Sequence, residues 1–272
     1  MELETCRCSV VGFDSAWTDR PKAPGAVSVL RFGLSQVAFV EPRVASFDEA
    51  LTLILMERDS SDLCLVALDQ PTIVPNLTSL RPVDRVAASI ISWAGGGVQP
   101  ANRSKIGMFD DAAPIWRFKK QLNAVENPEL ARSAPCGLFL IEVFPALALL
   151  SIDERFHGRL KAPRYNPARR RTFKVTDWLA VLEGVAAFAR SRRLEAIAEW
   201  CESRRTPAPS KADQDMLDSV ICALVGIEWI AAPRASSVLI GSLDTGYMVA
   251  PAAPAVRSRL SDAAERCGVP IA

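Results

Sequence analysis

Histidine is almost absent: His157 is the only one in 272 residues. That excludes multi-histidine metal sites, zincin helices and Cys/His zinc fingers. A Ser-His-Asp or Cys-His hydrolase would have to run through this one residue. Long apolar runs are missing too. No stretch of about 18 residues is apolar and free of charge, so no membrane span is expected. The opening MELETCRC carries acids and no basic-then-apolar order, so it does not read as a signal peptide. Net charge is only +1. No global field therefore draws the protein to nucleic acid or an acidic membrane, and any such binding needs a local patch.

Paired CxxC motifs are lacking as well. The seven cysteines, Cys6, Cys8, Cys64, Cys136, Cys201, Cys222 and Cys267, are scattered and odd in number. Several lie in apolar runs, which reads as buried reduced thiols in a cytoplasmic protein. Cys6-Arg7-Cys8 is too tight for a usual zinc half-site. What remains is ordinary globular material. Hydrophobic residues make up 49% and charged residues 23%, enough for one domain with a core of good size.

The apolar pattern predicts strands at Ser9–Phe13, Ala26–Phe32 and Gln36–Val40, with gaps short enough for antiparallel hairpins. Ser46 and Glu49 form a capping-box signature for a helix running to about Arg58. Leu63–Leu68 and Gly137–Val143 are continuous apolar runs, the mark of strands covered on both faces. Helices are expected at Val83–Trp93, Ile115–Leu122, Val175–Arg190, Leu194–Arg205 and Asp213–Ala232, and a short extended pair at Ser237–Ile240 and Tyr247–Val249. The class is α/β with a mixed sheet. Residues 1–272 read as one domain, with insertions around 76–135 and, helical and basic, around 151–210.

Three apolar strands end in an acid: Asp14, Asp69 and Glu142. A buried strand-end acid is costly unless it is paired, hydrated or bound to metal. One such aspartate is ordinary turn chemistry; three call for a common cause. The helical crossover between the first and fourth strands favours parallel pairing. Parallel neighbours lie about 4.8 Å apart, so Asp14 and Asp69 would face one pocket at the sheet edge where α/β folds bind ligands. Asp215 and Asp218 are three apart and share a helix face. The helix dipole accounts for Asp213 and Asp215 near the start of that helix, and less well for the deeper Asp218. Clustered carboxylates without histidine point to a hard cation, Mg2+ or Mn2+. Two such ions about 4 Å apart would clamp the attacking and leaving oxygens of a phosphodiester.

Further segments follow the same order along the chain: Gly12-Phe13-Asp14-Ser15-Ala16, Ala67-Leu68-Asp69-Gln70-Pro71, Pro75-Asn76, and Arg81-Pro82-x-Asp84. After them come Gln99-Pro100-Ala101-Asn102-Arg103, Glu142-Val143-Phe144-Pro145, Asp215-x-x-Asp218-Ser219 and Gly246-Tyr247-Met248-Val249-Ala250-Pro251. In these segments the chain resembles a bacterial and archaeal family of uncharacterised proteins described as predicted RNase H-like nucleases. The resemblance implies a ribonuclease H-like mixed five-stranded sheet flanked by helices, with helical and loop insertions. It implies that Asp14, Asp69 and Asp218 are metal ligands, with Asp14 bridging, and that Asp215 or Glu142 assists. The Asp215–Asp218 pair is similar to the helical D-x-x-D of Holliday-junction resolvases of this fold. Phe144 stands where some members have histidine, so a proton-transfer role is absent there.

Between Glu154 and Asp177 there is no acid. Arg164, Arg169, Arg170, Arg171 and Lys174 are candidate substrate contacts for a nucleic-acid backbone, with Tyr165 and Phe173 as stacking platforms. A solvated charge run is the alternative. His157, in the same segment, reads as a surface polar residue. Gly95-Gly96-Gly97, followed by Arg103 and Lys105, lacks P-loop spacing and reads as a loop beside the site. The expected activity is that of a metal-dependent nuclease acting on nucleic acid. Two rivals stay open: an actin- or sugar-kinase-like ATP-dependent phosphotransferase, which needs a second glycine-rich phosphate loop, and a non-catalytic binding module of the same fold.

Overall fold

The first and fourth strands, β1 (Cys8–Asp14) and β4 (Leu63–Asp69), are buried on both faces, as their unbroken apolar runs require. The computed structural model describes residues 6–33 and 37–272. The expected start of the third strand at Gln36, and the first five residues of the opening segment, lie outside the described residues. β1 and β4 pair in parallel, and Asp14 stands directly across from Asp69. On the other side of β1, β2 (Gly25–Phe32) is antiparallel to it, and β3 (Val37–Ala45) is antiparallel to β2. β5 (Gly137–Glu142) lies parallel to β4. The order is β3-β2-β1-β4-β5, a mixed sheet flanked by helices. β3 runs beyond the expected Val40 to Ala45 as a mostly exposed edge.

The helix α1 (Phe47–Ser60) opens on the Ser46–Glu49 capping box and carries the chain across to β4. Next come α2 (Pro82–Trp93), α3 (Pro114–Leu122), α4 (Pro128–Ser133), α5 (Pro145–Ile152), α6 (Val175–Ser191) and α7 (Glu195–Ser203). α8 (Lys211–Ala231) starts at a second capping box, Ser210–Asp213, and α9 (Pro254–Cys267) is the last helix. Between them β6 (Ser237–Ser242) and β7 (Gly246–Pro251) form a separate hairpin, and a parallel bridge from Val249 to Val143 ties it to the end of β5. Three helices depart from the sequence-based expectation: α4, α5 and α9. Each begins with proline at its first turn. Pro145 follows the Gly137–Val143 run, where proline can also end a strand. Here it starts a helix, where the missing N–H costs nothing.

α8 is the element that builds the site. It is buried along almost its whole length, and it packs across β1, β2 and β4. Each fully buried Leu, Ile or Val there contributes about 1.5–3 kcal/mol. Gly12 permits the close approach, because a side-chain carbon at that position would collide with the Ser219 carbonyl and the Ala223 backbone. The Ser28 hydroxyl donates to the Ser219 carbonyl at 3.0 Å, pinning α8 to β2. Among the described residues no helix is long and apolar enough to cross a membrane. Cys8, Cys64, Cys201 and Cys222 are buried and unbridged, whereas Cys136 and Cys267 are exposed rather than buried.

Candidate functional site

Asp14 and Asp69 close the ends of two hydrogen-bonded parallel strands. α8, seated against Gly12, brings Asp218 to the same place. The three line one cavity of about 620 Å3, and Asp14 and Asp218 are only 9% and 5% exposed. Burial first, and then the Asp69, Asp218 and Asp215 carboxylates, hold Asp14 well above the usual carboxylate range. Asp69 is raised by burial and then by Asp218 and Glu142. Asp218 is pushed up to about 7 by burial, opposed by hydrogen bonds from Tyr165 and Gln214. The Tyr165 hydroxyl donates to Oδ1 at 2.7 Å, and the Gln214 amide donates to Oδ2. Burial and Asp218 raise Tyr165 well above its usual value, so it stays a protonated donor.

Lys211 stands among these acids. It opens α8 and pairs through Nζ with Asp215, one turn on. Burial works against its charge, but Asp14 and Asp215 outweigh it and its pKa rises. Asp215 is therefore ion-paired within α8. Among the described residues, no set of three or more His, Cys, Asp and Glu side chains is drawn together tightly enough to hold an ion. The donor chemistry nevertheless fits a hard cation. Asp14, Asp69 and Asp218 are all-oxygen donors. Burial and neighbouring carboxylates, opposed by Lys211, raise both Asp14 and Asp69; a bound cation would relieve both.

Glu142 also borders the cavity, yet both of its oxygens are taken. Arg81 donates to them at 2.9 and 2.6 Å, and the Thr72 N–H adds a third bond at 2.9 Å. Arg81 is fully buried and is shared with Asp84, at 2.8 Å. Gly246, at φ +98°, leaves the space this guanidinium fills. The Tyr247 hydroxyl accepts from the Glu142 N–H at 3.1 Å. Glu142 is thus clamped beside Asp69 rather than open to a ligand.

The basic run divides. Arg164 and Arg169 line the cavity with the acids, and Arg164 also lines a smaller neighbouring pocket with Lys174, Arg155 and Lys161. Arg170 and Arg171 are exposed and line neither. Tyr165 is not the expected stacking platform, since it is buried and spent on Asp218. Phe173 is partly buried against the core. His157 is half-buried, with its ring 5.2 Å from that of Trp93, and does not reach the cavity wall. Gly95, Gly96 and Gly97 do form part of that wall. Arg103, by contrast, pairs with Asp111 and lies 4.9 Å over Trp116.

Sequence reasoning missed Lys211, Gln214 and the clamp on Glu142. Lys211-x-x-x-Asp215-x-x-Asp218 is a readable i,i+4 pair overlapping the acid motif. Gln214-x-x-x-Asp218 has the same i,i+4 spacing, a Gln–Asp hydrogen-bond pair.

A model of the family described as "Protein of unknown function (DUF429)" matches residues 19–240. Asp69, Glu142, Lys211, Asp215 and Asp218 fall within the match, and Asp14 lies just ahead of it. No curated protein and no solved structure matches the chain.

Proposed function

The chain belongs to the DUF429 family, and we propose that it is a metal-dependent phosphodiesterase acting on nucleic acid, built on a ribonuclease H-like sheet. The observation that carries this reading is the register of Asp14 against Asp69 across two parallel strands, with Asp218 delivered to the same cavity by α8. The sheet order, three antiparallel strands followed by two parallel additions, supports the fold assignment. Asp14, Asp69 and Asp218 would hold Mg2+ or Mn2+, which supplies Lewis-acid activation of water and of a phosphoryl oxygen. Tyr165 and Gln214 fix the orientation of Asp218. Arg81 fixes Glu142 beside Asp69. Lys211 offsets the like charges of the cluster, and Arg164 and Arg169 supply positive charge for a phosphate backbone. The buried unbridged thiols suit a reducing compartment, the cytoplasm.

Two measurements test this. Calorimetric titration with Mn2+ is expected to show binding to the intact protein, and bis(4-nitrophenyl) phosphate is expected to release nitrophenol only when Mn2+ is present. Failure of both ends the reading. For the arginines, binding of single-stranded oligonucleotide should weaken with salt. Arg164→Ala with Arg169→Ala should lower the log–log slope by about 1.4. The same pair of changes at Arg170 and Arg171 should lower it less, because those side chains do not line the cavity. Equal losses from the two pairs would mean that the whole run is a diffuse charged surface.

A further inference from the structure

Resting on the phosphodiesterase reading, we infer that the cavity takes a single nucleotide unit with its base buried. The acids occupy only part of the cavity wall. Ile91, Leu149 and Met248, all buried, form another part, and Phe144 and Trp17 add aromatic surface. Phosphate contacts alone would need cations and solvent; apolar and aromatic walls give surface to a base. An apolar wall beside an acid centre and two arginines matches a ligand with a flat apolar body joined to a phosphate. The volume, about 620 Å3, is that of a small-molecule site. It admits one nucleotide and excludes a stacked duplex, so the unit must be a free nucleotide, a strand end or a nucleotide turned out of the stack.

Gln214 gives an independent sign that a ligand belongs here. It is 5% exposed and borders the cavity. Its amide nitrogen is committed to Asp218, and its Oε1 is buried with no hydrogen-bond partner among the described residues. A buried acceptor left unpaired is costly. A sugar hydroxyl or a base N–H would satisfy it, which a phosphate oxygen cannot do. The Trp17 ring is held in place by its indole N–H, which donates to the Asp69 carbonyl at 3.1 Å, so one aromatic wall is preset next to the acids.

The test compares adenosine 5′-monophosphate, uridine 5′-monophosphate and ribose 5-phosphate by calorimetry on the whole protein, with and without saturating Mn2+. Both nucleotides are expected to bind at least about tenfold more tightly than ribose 5-phosphate, the scale of one base–aromatic stack. Phe144→Ala is expected to remove most of that preference, with its Mn2+ titration matching the parent as the check on folding. Equal affinities for nucleotide and sugar phosphate, or no binding of either, overturn the inference. A preference that survives Phe144→Ala overturns this placement of the base. If the preference holds while Mn2+ fails to bind, the base pocket stands and the metal reading falls.

Discussion

Asp14→Asn is expected to abolish Mn2+-dependent hydrolysis and, without metal, to raise the melting temperature at pH 8. The first effect is the loss of a Lewis-acid ligand, worth several kcal/mol, or about 10³-fold in rate. The second follows from the ionisation of the cluster. Burial and the Asp69 and Asp218 carboxylates hold Asp14 well above 3.8 in the folded state. The folded chain therefore takes up this proton more readily than the unfolded chain. The stability gained from that uptake is complete below about pH 3.8, the unfolded value, and is lost as pH rises through the raised folded value. Asparagine cannot ionise and escapes the loss. The stabilisation of Asp14→Asn should shrink as the pH is lowered, and thermal melts at pH 5 and pH 8 measure it. A variant that melts below the parent at pH 8 would make Asp14 a structural anchor.

Arg81→Met is expected to destabilise the fold by about 3–5 kcal/mol, the cost of leaving buried charges without their partner. Asp84 and Glu142 are 1% exposed, and the Ile73 carbonyl loses its bond at 3.0 Å as well. The urea midpoint reports the loss. Adding Glu142→Gln should recover part of it, because the amide removes one of the stranded charges. A loss under about 1 kcal/mol, or no recovery in the double variant, would show that water reaches the clamp and that Glu142 is free to meet a ligand. The clamp also gives the Arg81-Pro82-x-Asp84 segment a physical role. It secures the turn after β4, through Ile73, to the end of β5, through Glu142, and so sets the floor beside Asp69.

The central strands were legible because burial on both faces leaves an unmistakable apolar run, and each run ended in the acid now seen at the sheet edge. The pairing of Asp14 with Asp69 was legible for the same reason: two such runs joined through a helix pair in parallel, and parallel register aligns their ends. α5 was not legible. Its eight residues are apolar nearly all round, with no period for a helix to show, and its opening proline also reads as a strand stop. α9 carried Pro254 at its first position and Gly268 after it, in a left-handed conformation that caps the helix, a signal present in the sequence.

At the acid centre the sequence by itself determined the donor types, the absence of histidine ligands and the strand ends on which Asp14 and Asp69 sit. It could not separate Glu142 from them, since all three are acids after apolar strands. Only tertiary structure decided that Glu142 belongs to a buried arginine from α2's entry, and that Asp218 answers to a tyrosine 53 residues away. The same holds for the basic run: all four arginines are exposed, and folding alone decided that Arg164 and Arg169 border the cavity while Arg170 and Arg171 do not. The physical reason is common to these cases. Strand and helix periods are local and repeat along the chain, whereas the neighbours of a side chain are whichever groups the packing of distant segments brings within reach.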